Sequence, residues 1–396
     1  MTPPLKWTLM ATHILTSNNV ATFIEQLNKA PRIALDTEFH AERRFFPKLF
    51  LVQVYIPDAD TWLIDPTAKE VFLEQLAENL TAVPWVLHSG KSDLVLMNKA
   101  LGKLPDTVFD TQIAAGLLDH AYPTSYAKLV SKYLGRTLKQ EATLSNWARR
   151  PLTPAQREYA AEDVQSLLLL ASSLKDALVK VGRLEIAQEA CEEARVAPLN
   201  PPAFDLIYRE HQGLHYLTAH QAAVFQELAA WRLQRAMQSN QPVRSVLNDS
   251  LMLEWSKRQP SSIAEMLADR RVSKKLTARI GDEVLELIER AQKRPEWGWP
   301  TFISRYSPEW MRHNLLCNFV ECLGYQEGFS SRLVAPRKMM EQLILVPPDS
   351  RETIAGVLGP WRDGLVGEAI WKFLNGETSL RLPPDRKTFF IADFSE

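Results

Sequence analysis

The chain has 396 residues, 46% of them hydrophobic and 23% charged, with a formal net charge of −1. That length predicts two or three domains, and the apolar share supports a sizeable globular core. The near-zero charge excludes a globally basic nucleic-acid binder, so any basic surface has to come from local segregation.

In chain order, Arg32-Ile33-Ala34-Leu35 reads as the first strand, running into Asp36-Thr37-Glu38-Phe39. Leu49–Ile56 is the second strand of a hairpin and is too apolar for an edge. Thr61–Asp65 is a third short strand, bounded by Pro66, and residues 69–80 carry helical periodicity (Val71, Phe72, Leu76, Leu80). Trp85–His88 is a fourth strand, after which Ser92 is the expected cap of a helix holding Leu94, Leu96, Met97 and Leu101. Val108–Asp110 is a further strand, and Asp110 caps a helix over Thr111–Leu118. Strands mixed with helices over residues 1–180 predict an α/β domain whose sheet is flanked by helices.

Thr153-Pro154 starts a helix, and the pattern stays helical into the 190s. Pro198, Pro201 and Pro202 mark a linker over Arg195–Ala203. Residues 205–294 and 305–376 are two more helical sets, separated by Pro295–Pro300. The tail after Leu382-Pro383-Pro384 is expected to be loosely held. Cys191, Cys317 and Cys322 provide no disulfide framework and no zinc set. With no long apolar N-terminal region and no stretch of bilayer-spanning length, the expected setting is a reducing cytoplasm, without membrane contact.

The chemistry begins at Asp36 and Glu38. Residues two apart on a strand share a face, so two carboxylates stand side by side and repel. A hard divalent cation between them removes the repulsion. Tyr159 and Asp163 are i and i+4 and share one helical face. His88 and Asp93 lie where the fourth strand passes into its helix. Four carboxylates, Asp36, Glu38, Asp93 and Asp163, are enough for two divalent cations about 3.5–4 Å apart, the arrangement used for in-line phosphoryl displacement. Taken singly, Asp93 also reads as a first-turn helix acid, with Asp110 competing for its place in the set, and Asp163 as a salt-bridged core residue.

Order and spacing resemble the DEDD exonucleases: D-x-E on a first strand, a middle Asp, then Y-x-x-x-D on a late helix. Ala34–Phe39 with Phe46–Gln53, then His88–Leu94, Phe109–Ala115, Ser145–Leu152 and Tyr159–Val164 resemble the motifs of the ribonuclease D family, of the DEDDy subclass. Asn146 departs from that family, which often has Asp there. Residues 215–294, carried by Phe225–Arg235, resemble an HRDC domain, and residues 305–376 a second, divergent one. The resemblance implies a ribonuclease H-like DEDD exonuclease domain over 1–195, a linker over 196–212, two small all-α HRDC-type domains over 213–295 and 301–378, and a tail over 379–396.

It further implies a 3′-to-5′ exoribonuclease that releases nucleoside 5′-monophosphates, with two divalent cations, Mg²⁺ or Mn²⁺, as cofactors. RNA is the expected partner, as tRNA precursors with single-stranded 3′ ends, and a monomer the expected state. Asp36, Glu38 and Asp163 would hold one cation, and Asp36 would bridge to a second held by Asp93. A tyrosine with the ordinary pKa of about 10 is a poor base at neutral pH, so Tyr159 orients water. Arg43, Arg44 and Phe46 in the loop after the first strand, with His88, are the expected substrate contacts, since cations mixed with aromatics suit single-stranded ends. A basic run at Arg270, Arg271, Lys274, Lys275 and Arg279 reads either as a solvated face or as an RNA-backbone surface. A DNA-directed exonuclease and a non-catalytic RNA-binding scaffold remain as alternatives.

Overall fold

Two elements absent from these expectations open the chain: β1 (Thr12–Ile14) and α1 (Val20–Lys29). In the computed structural model the described residues are 11–68, 73–119, 121–138, 145–199, 214, 217–293, 303, 306–345, 349–381 and 390–393. Val71, Phe72, Pro295–Pro300 and most of the expected linker lie outside them. The contacts divide the chain into two compact units. One draws on Met1–His40, Leu49–Asn200 and Met311–Glu396, the other on Ala41–Lys48 and Pro201–Trp310.

The first unit contains β2 (Ile33–His40), β3 (Lys48–Tyr55), β4 (Thr61–Ile64), β5 (Trp85–Leu87) and β6 (Val108–Asp110). With β1 they form one mixed sheet in the order β1-β4-β3-β2-β5-β6. β3 and β4 are antiparallel, whereas β2, β5 and β6 run parallel, Ile33 opposite Trp85 and Trp85 opposite Val108. Parallel neighbours need crossovers, and helices supply them. α2 (Ala77–Thr81) lies on the path from β2 to β5 and α3 (Lys91–Leu101) joins β5 to β6, whereas α4 (Thr111–Gly116), α5 (Tyr126–Leu134), α6 (Pro154–Gln165), α7 (Leu167–Lys180) and α8 (Leu184–Val196) follow the last strand and pack on the sheet or on one another. β5 and the first three residues of β2 are apolar and fully buried, as strands inside a helix-flanked sheet are. Phe23, Leu27, Ile33, Leu35, Trp62 and Trp85 are buried in one continuous core, each such side chain contributing roughly 1.5–3 kcal/mol.

The second unit holds α9 (Ala219–Ser239), α10 (Val243–Val246), α11 (Asp249–Arg258), α12 (Ile263–Leu267) and α13 (Lys274–Gln292) around Phe225, Leu228, Met252, Trp255 and Val284. A capping box at Thr218 and Gln221 starts α9, and Asn240 ends it in the left-handed region at φ 48°. Asn240 Oδ1 accepts from the Phe46 backbone N–H at 3.0 Å.

The C-terminal helices follow: α14 (Pro308–Glu327), α15 (Ser331–Val334), α16 (Arg337–Leu345), α17 (Arg351–Leu358), α18 (Pro360–Arg362) and, after a π-helical turn, α19 (Glu368–Leu374). From Met311 onward they belong to the first unit. Arg183, which ends the loop before α8, donates Nη1 to Leu117 O (3.1 Å) and Gly328 O (2.9 Å) and Nη2 to Glu327 O (2.6 Å). Ser330 N–H donates to Gly116 O at 2.7 Å, an approach that leaves no room for a Cβ at Gly116, which would meet Leu333 at 2.7 Å. Trp361 Nε1 and Arg362 both donate to Glu193 of α8. The described part of the tail is not loose: β8 (Phe390–Asp393) pairs antiparallel with β7 (Thr378–Arg381), satisfying a backbone that would otherwise need water.

Candidate active site

Asp36 and Glu38 project from the middle of β2, and Asp163 from α6, which packs across β2 and β4. Carboxylate oxygens of the three lie within 4.8 Å of one another, and all three side chains are half-buried. The sequence placed α6 correctly because its start is local: Thr153 caps it, Gln156 closes the capping box, and Pro154 occupies its first turn. A core of Phe50, Leu51, Leu63, Trp147, Leu152 and Ala160 backs the helix and receives the Tyr159 ring, 6.2 Å from the Trp147 ring. At the far end Arg136 donates to Glu162 (3.0 Å) and Ser166 (2.8 Å).

Asp93 lies in the first turn of α3, 7% exposed, and is not part of the tight trio. The buried Thr37 hydroxyl, between the two strand carboxylates, donates to Asp93 Oδ1. Thr37 is a residue the sequence pattern missed; strand alternation assigned it to the opposite face, with no signal toward Asp93. The helix also starts differently from expectation. Its cap is Gly90, with Ser92 inside the first turn, because the Asp110 carboxylate accepts the N–H groups of Ser89 (3.0 Å) and Gly90 (2.7 Å). Asp110 also caps α4 by accepting from Gln112 N–H at 2.8 Å, so one carboxylate serves two helix starts.

The electrostatics are those of an uncompensated anionic cluster. Burial pushes the Asp36 carboxyl well above the ordinary carboxylate range, and the charges of Asp93, Asp163 and Glu38 push it further. Burial, then Asp163 and Asp93, raises Glu38 to about 8. Asp163 is raised by burial to about 7 against a hydrogen bond from Tyr159, and Asp93 by burial to about 6 against one from Thr37. A hard, oxygen-preferring divalent cation reverses the repulsion, so the residues present fit such a group. Asp36, Glu38 and Asp163 are the side chains that would hold it.

A stability prediction follows for the metal-free protein. Unfolded carboxylates lose their protons near pH 4, whereas these folded ones retain them until about 7 for Asp163 and about 8 for Glu38. The folded state binds more protons in between, so stability falls as pH rises through that window. Thermal unfolding in EDTA gives a Tm that declines from about pH 5 to about pH 8, and excess Mg²⁺ removes the decline at the upper end. A flat profile in EDTA would show that the cluster is not strained.

Arg150 is a second feature the sequence did not reveal. Its guanidinium forms a fork with Asp65, Nη2 lying 2.8 Å from Oδ1 and Nε bonding Oδ2. It also donates to Trp147 O (2.6 Å) and Phe50 O (2.7 Å), tying β3 and β4 to the segment that leads into α6. Burial raises the Asp65 carboxyl, but the bonds from Arg150 and Thr67 outweigh it and hold the group below its usual range. Arg150→Ala leaves that carboxylate with Thr67 alone and frees the Trp147, Arg149 and Phe50 carbonyls, and should cost about 2–4 kcal/mol in urea unfolding. Arg150→Lys should recover little, because an ammonium cannot make the fork; full recovery would show that charge alone matters.

The proposed substrate contacts are distributed differently. Arg43 and Arg44 are exposed, and the Phe45 and Phe46 rings meet edge to face at 4.8 Å. Their loop, Ala41–Lys48, belongs to the second unit. His88 Nδ1 lies 3.0 Å from Thr111 Oγ1 and its ring 5.5 Å from that of Tyr126, a structural setting in which burial lowers its pKa. Of the basic run, Arg271 is engaged by Asp269, and Arg279 by the carbonyls of Ser245 and Val246.

Comparison with known proteins places these features in a family. A 3′-5′ exonuclease family matches residues 12–179, and the HRDC domain family matches residues 221–288. Ribonuclease D of Pseudomonas paraeruginosa is 30% identical over 376 residues, covering 93% of this chain and 97% of the relative. Ribonuclease D of Escherichia coli is 28% identical, over 91% of this chain and 97% of the relative. The crystal structure of Escherichia coli RNase D, described as an exoribonuclease involved in structured RNA processing, superposes with a TM-score of 0.80 at 27% identity, over 93% of this chain and 99% of that one.

Proposed function

Because this chain belongs to the ribonuclease D family and is a 3′-to-5′ exoribonuclease, we propose that it trims RNA 3′ ends, tRNA precursors among them, at the Asp36–Glu38–Asp163 cluster. The observation that carries the site is the convergence of those three carboxylates within 4.8 Å, with the Tyr159 hydroxyl bonded to Asp163. When bound there, two divalent cations, Mg²⁺ or Mn²⁺, would activate water and stabilise the leaving oxygen. Asp36, Glu38 and Asp163 would hold one of them, and Asp93 with Asp36 the other. Thr37 fixes the Asp93 carboxylate, and Asp110 fixes the start of the helix that bears it.

Tyr159 orients the attacking water. The water oxygen joins phosphorus as the bond to the penultimate nucleotide's O3′ breaks, so the terminal unit leaves as a nucleoside 5′-monophosphate. Arg43, Arg44 and Phe46 contact the single-stranded RNA end, whereas His88 serves the fold beside Thr111 and Tyr126. Arg270, Lys274 and Lys275 are exposed, with no ion-pair partner among the described residues, and offer the second unit a phosphate-binding face of its own. Three free cysteines suit a reducing cytoplasm, and no helix among the described residues is long and apolar enough to cross a membrane.

The test uses a tRNA precursor with a 3′ extension and a matched single-stranded DNA, each labelled at its 5′ end, with Mg²⁺, Mn²⁺ or EDTA. A metal-dependent ladder shortening the RNA from its 3′ end is the expected result. Shortening of the DNA alone would overturn the substrate assignment, and binding without cleavage under every metal would leave a scaffold.

A further inference from the structure

β2 ends at His40, two residues beyond Glu38, and the chain crosses Ala41–Pro47 to reach β3, its neighbour in the sheet. That connection is longer than the about 2–5 residues usual between adjacent strands. One turn closes inside it, where the Arg44 N–H donates to Ala41 O at 3.2 Å. Arg43 and Arg44 stand exposed on that turn, and neither has an ion-pair partner among the described residues. Phe45 and Phe46 follow, half-buried, with their rings edge to face. A loop of this kind is ordered either by contacts outside itself or by its ligand. The first route lowers the entropic cost of binding.

The outside contact comes from Asn240, 194 positions along the chain, whose part-buried Oδ1 accepts the Phe46 N–H at 3.0 Å. Asn240 and the loop belong to the same unit. Asn240 ends α9 at φ 48°, and the following N–H, of Gln241, returns to Ala236 O at 3.0 Å. That left-handed position requires only a residue that tolerates positive φ, and glycine serves it best. The helix end therefore gives no reason for a side-chain amide, whereas the bond to Phe46 does. Pro47 has its φ locked and keeps Phe46 in extended backbone, so a restraint on the Phe46 amide is not absorbed by a free hinge on the β3 side.

We infer that Asn240 is a positioning residue for RNA: it holds the Arg43–Phe46 loop in the conformation that receives the single-stranded 3′ end, so that the RNA does not have to order the loop itself. The inference rests on the reading of that loop as an RNA contact. Acting through the loop alone, Asn240 serves binding and leaves the chemical step to the carboxylates and Tyr159.

The experiment uses the full chain with Asn240→Gly, which keeps the left-handed helix end and removes the acceptor, and with Asn240→Asp, which keeps both. Binding of a short single-stranded RNA is read by fluorescence anisotropy in EDTA, cleavage of the same RNA in Mg²⁺, and the Phe46 amide by residue-resolved hydrogen exchange without RNA. Asn240→Gly weakens binding by about fivefold to tenfold, with KM rising to match and kcat within about twofold, the split that marks lost ground-state binding. The Phe46 amide exchanges at least about tenfold faster in Asn240→Gly and within about threefold of the wild-type rate in Asn240→Asp. With Arg43→Ala and Arg44→Ala already in place, Asn240→Gly weakens binding by less than about twofold, because the side chains it positions are gone. Unchanged exchange in Asn240→Gly, faster exchange with unchanged RNA affinity, a fall in kcat at constant KM, or the full effect of Asn240→Gly without the two arginines would each overturn the proposal. A wild-type chain that binds RNA without cutting it would refute the exonuclease reading instead, and the binding and exchange readouts would still decide this one.

Discussion

Asp36→Asn in the full chain should abolish RNA shortening, with kcat down at least about 10³-fold, the scale of several kcal/mol of lost transition-state stabilisation. Asp36 is the group on which the other three carboxylates act together, and its pKa is pushed up by burial and by all of them. An amide in its place removes one ligand and one repelling charge. The same substitution should therefore raise the Tm in EDTA at neutral pH while shrinking the Tm gain from added Mg²⁺. A fall in activity with an unchanged response to Mg²⁺ would mean that Asp36 does not hold the cation. Normal activity would move the active site elsewhere.

Tyr159→Phe should separate chemistry from assembly. The ring is held by Trp147 and the core beneath it, so deleting the hydroxyl leaves α6 in place. Metal affinity should change by no more than about threefold, because the Asp163 carboxylate remains. Turnover should drop by about 10²–10³, the range for losing a group that positions a proton-transferring water. Metal titration beside single-turnover cleavage reads both. If affinity and rate fall together, Tyr159 acts by supporting Asp163 and does not orient water.

The legibility of the site follows the range of the interactions that build it. Asp36 and Glu38 were readable because strand alternation is a two-residue rule. Tyr159 and Asp163 were readable because a helical turn and a Thr-Pro start lie within ten residues of each other. The strands β3, β4 and β5 announce themselves as apolar runs. By contrast, β1 is three residues long with exposed ends, and α1 starts at Asn19 without a side-chain cap; nothing local marks either. Ser92 is a plausible cap by local rules and loses to Asp110, whose carboxylate arrives from the next strand to bond Ser89 and Gly90. Arg150 and Asp65 are 85 positions apart, and no spacing rule joins them. The union of the C-terminal helices with the nuclease sheet was equally hidden, since it runs through backbone carbonyls that any sequence possesses.

That last union bears on the order in which the protein is made. The ribosome completes the sheet, α4 and α8 first, then has to synthesise Pro201–Trp310, a separate unit, before the helices that cover Gly116 and Arg183 exist. At about 5–20 residues per second this leaves the nascent nuclease waiting for roughly 5–20 s with Arg183 holding only the Leu117 carbonyl of its three and with the Gly116 carbonyl lacking its Ser330 donor. Folding of the catalytic part is thus tied to helices made only after the whole of Pro201–Trp310, and a chain released early, before Trp361, carries all four carboxylates on an unfinished body.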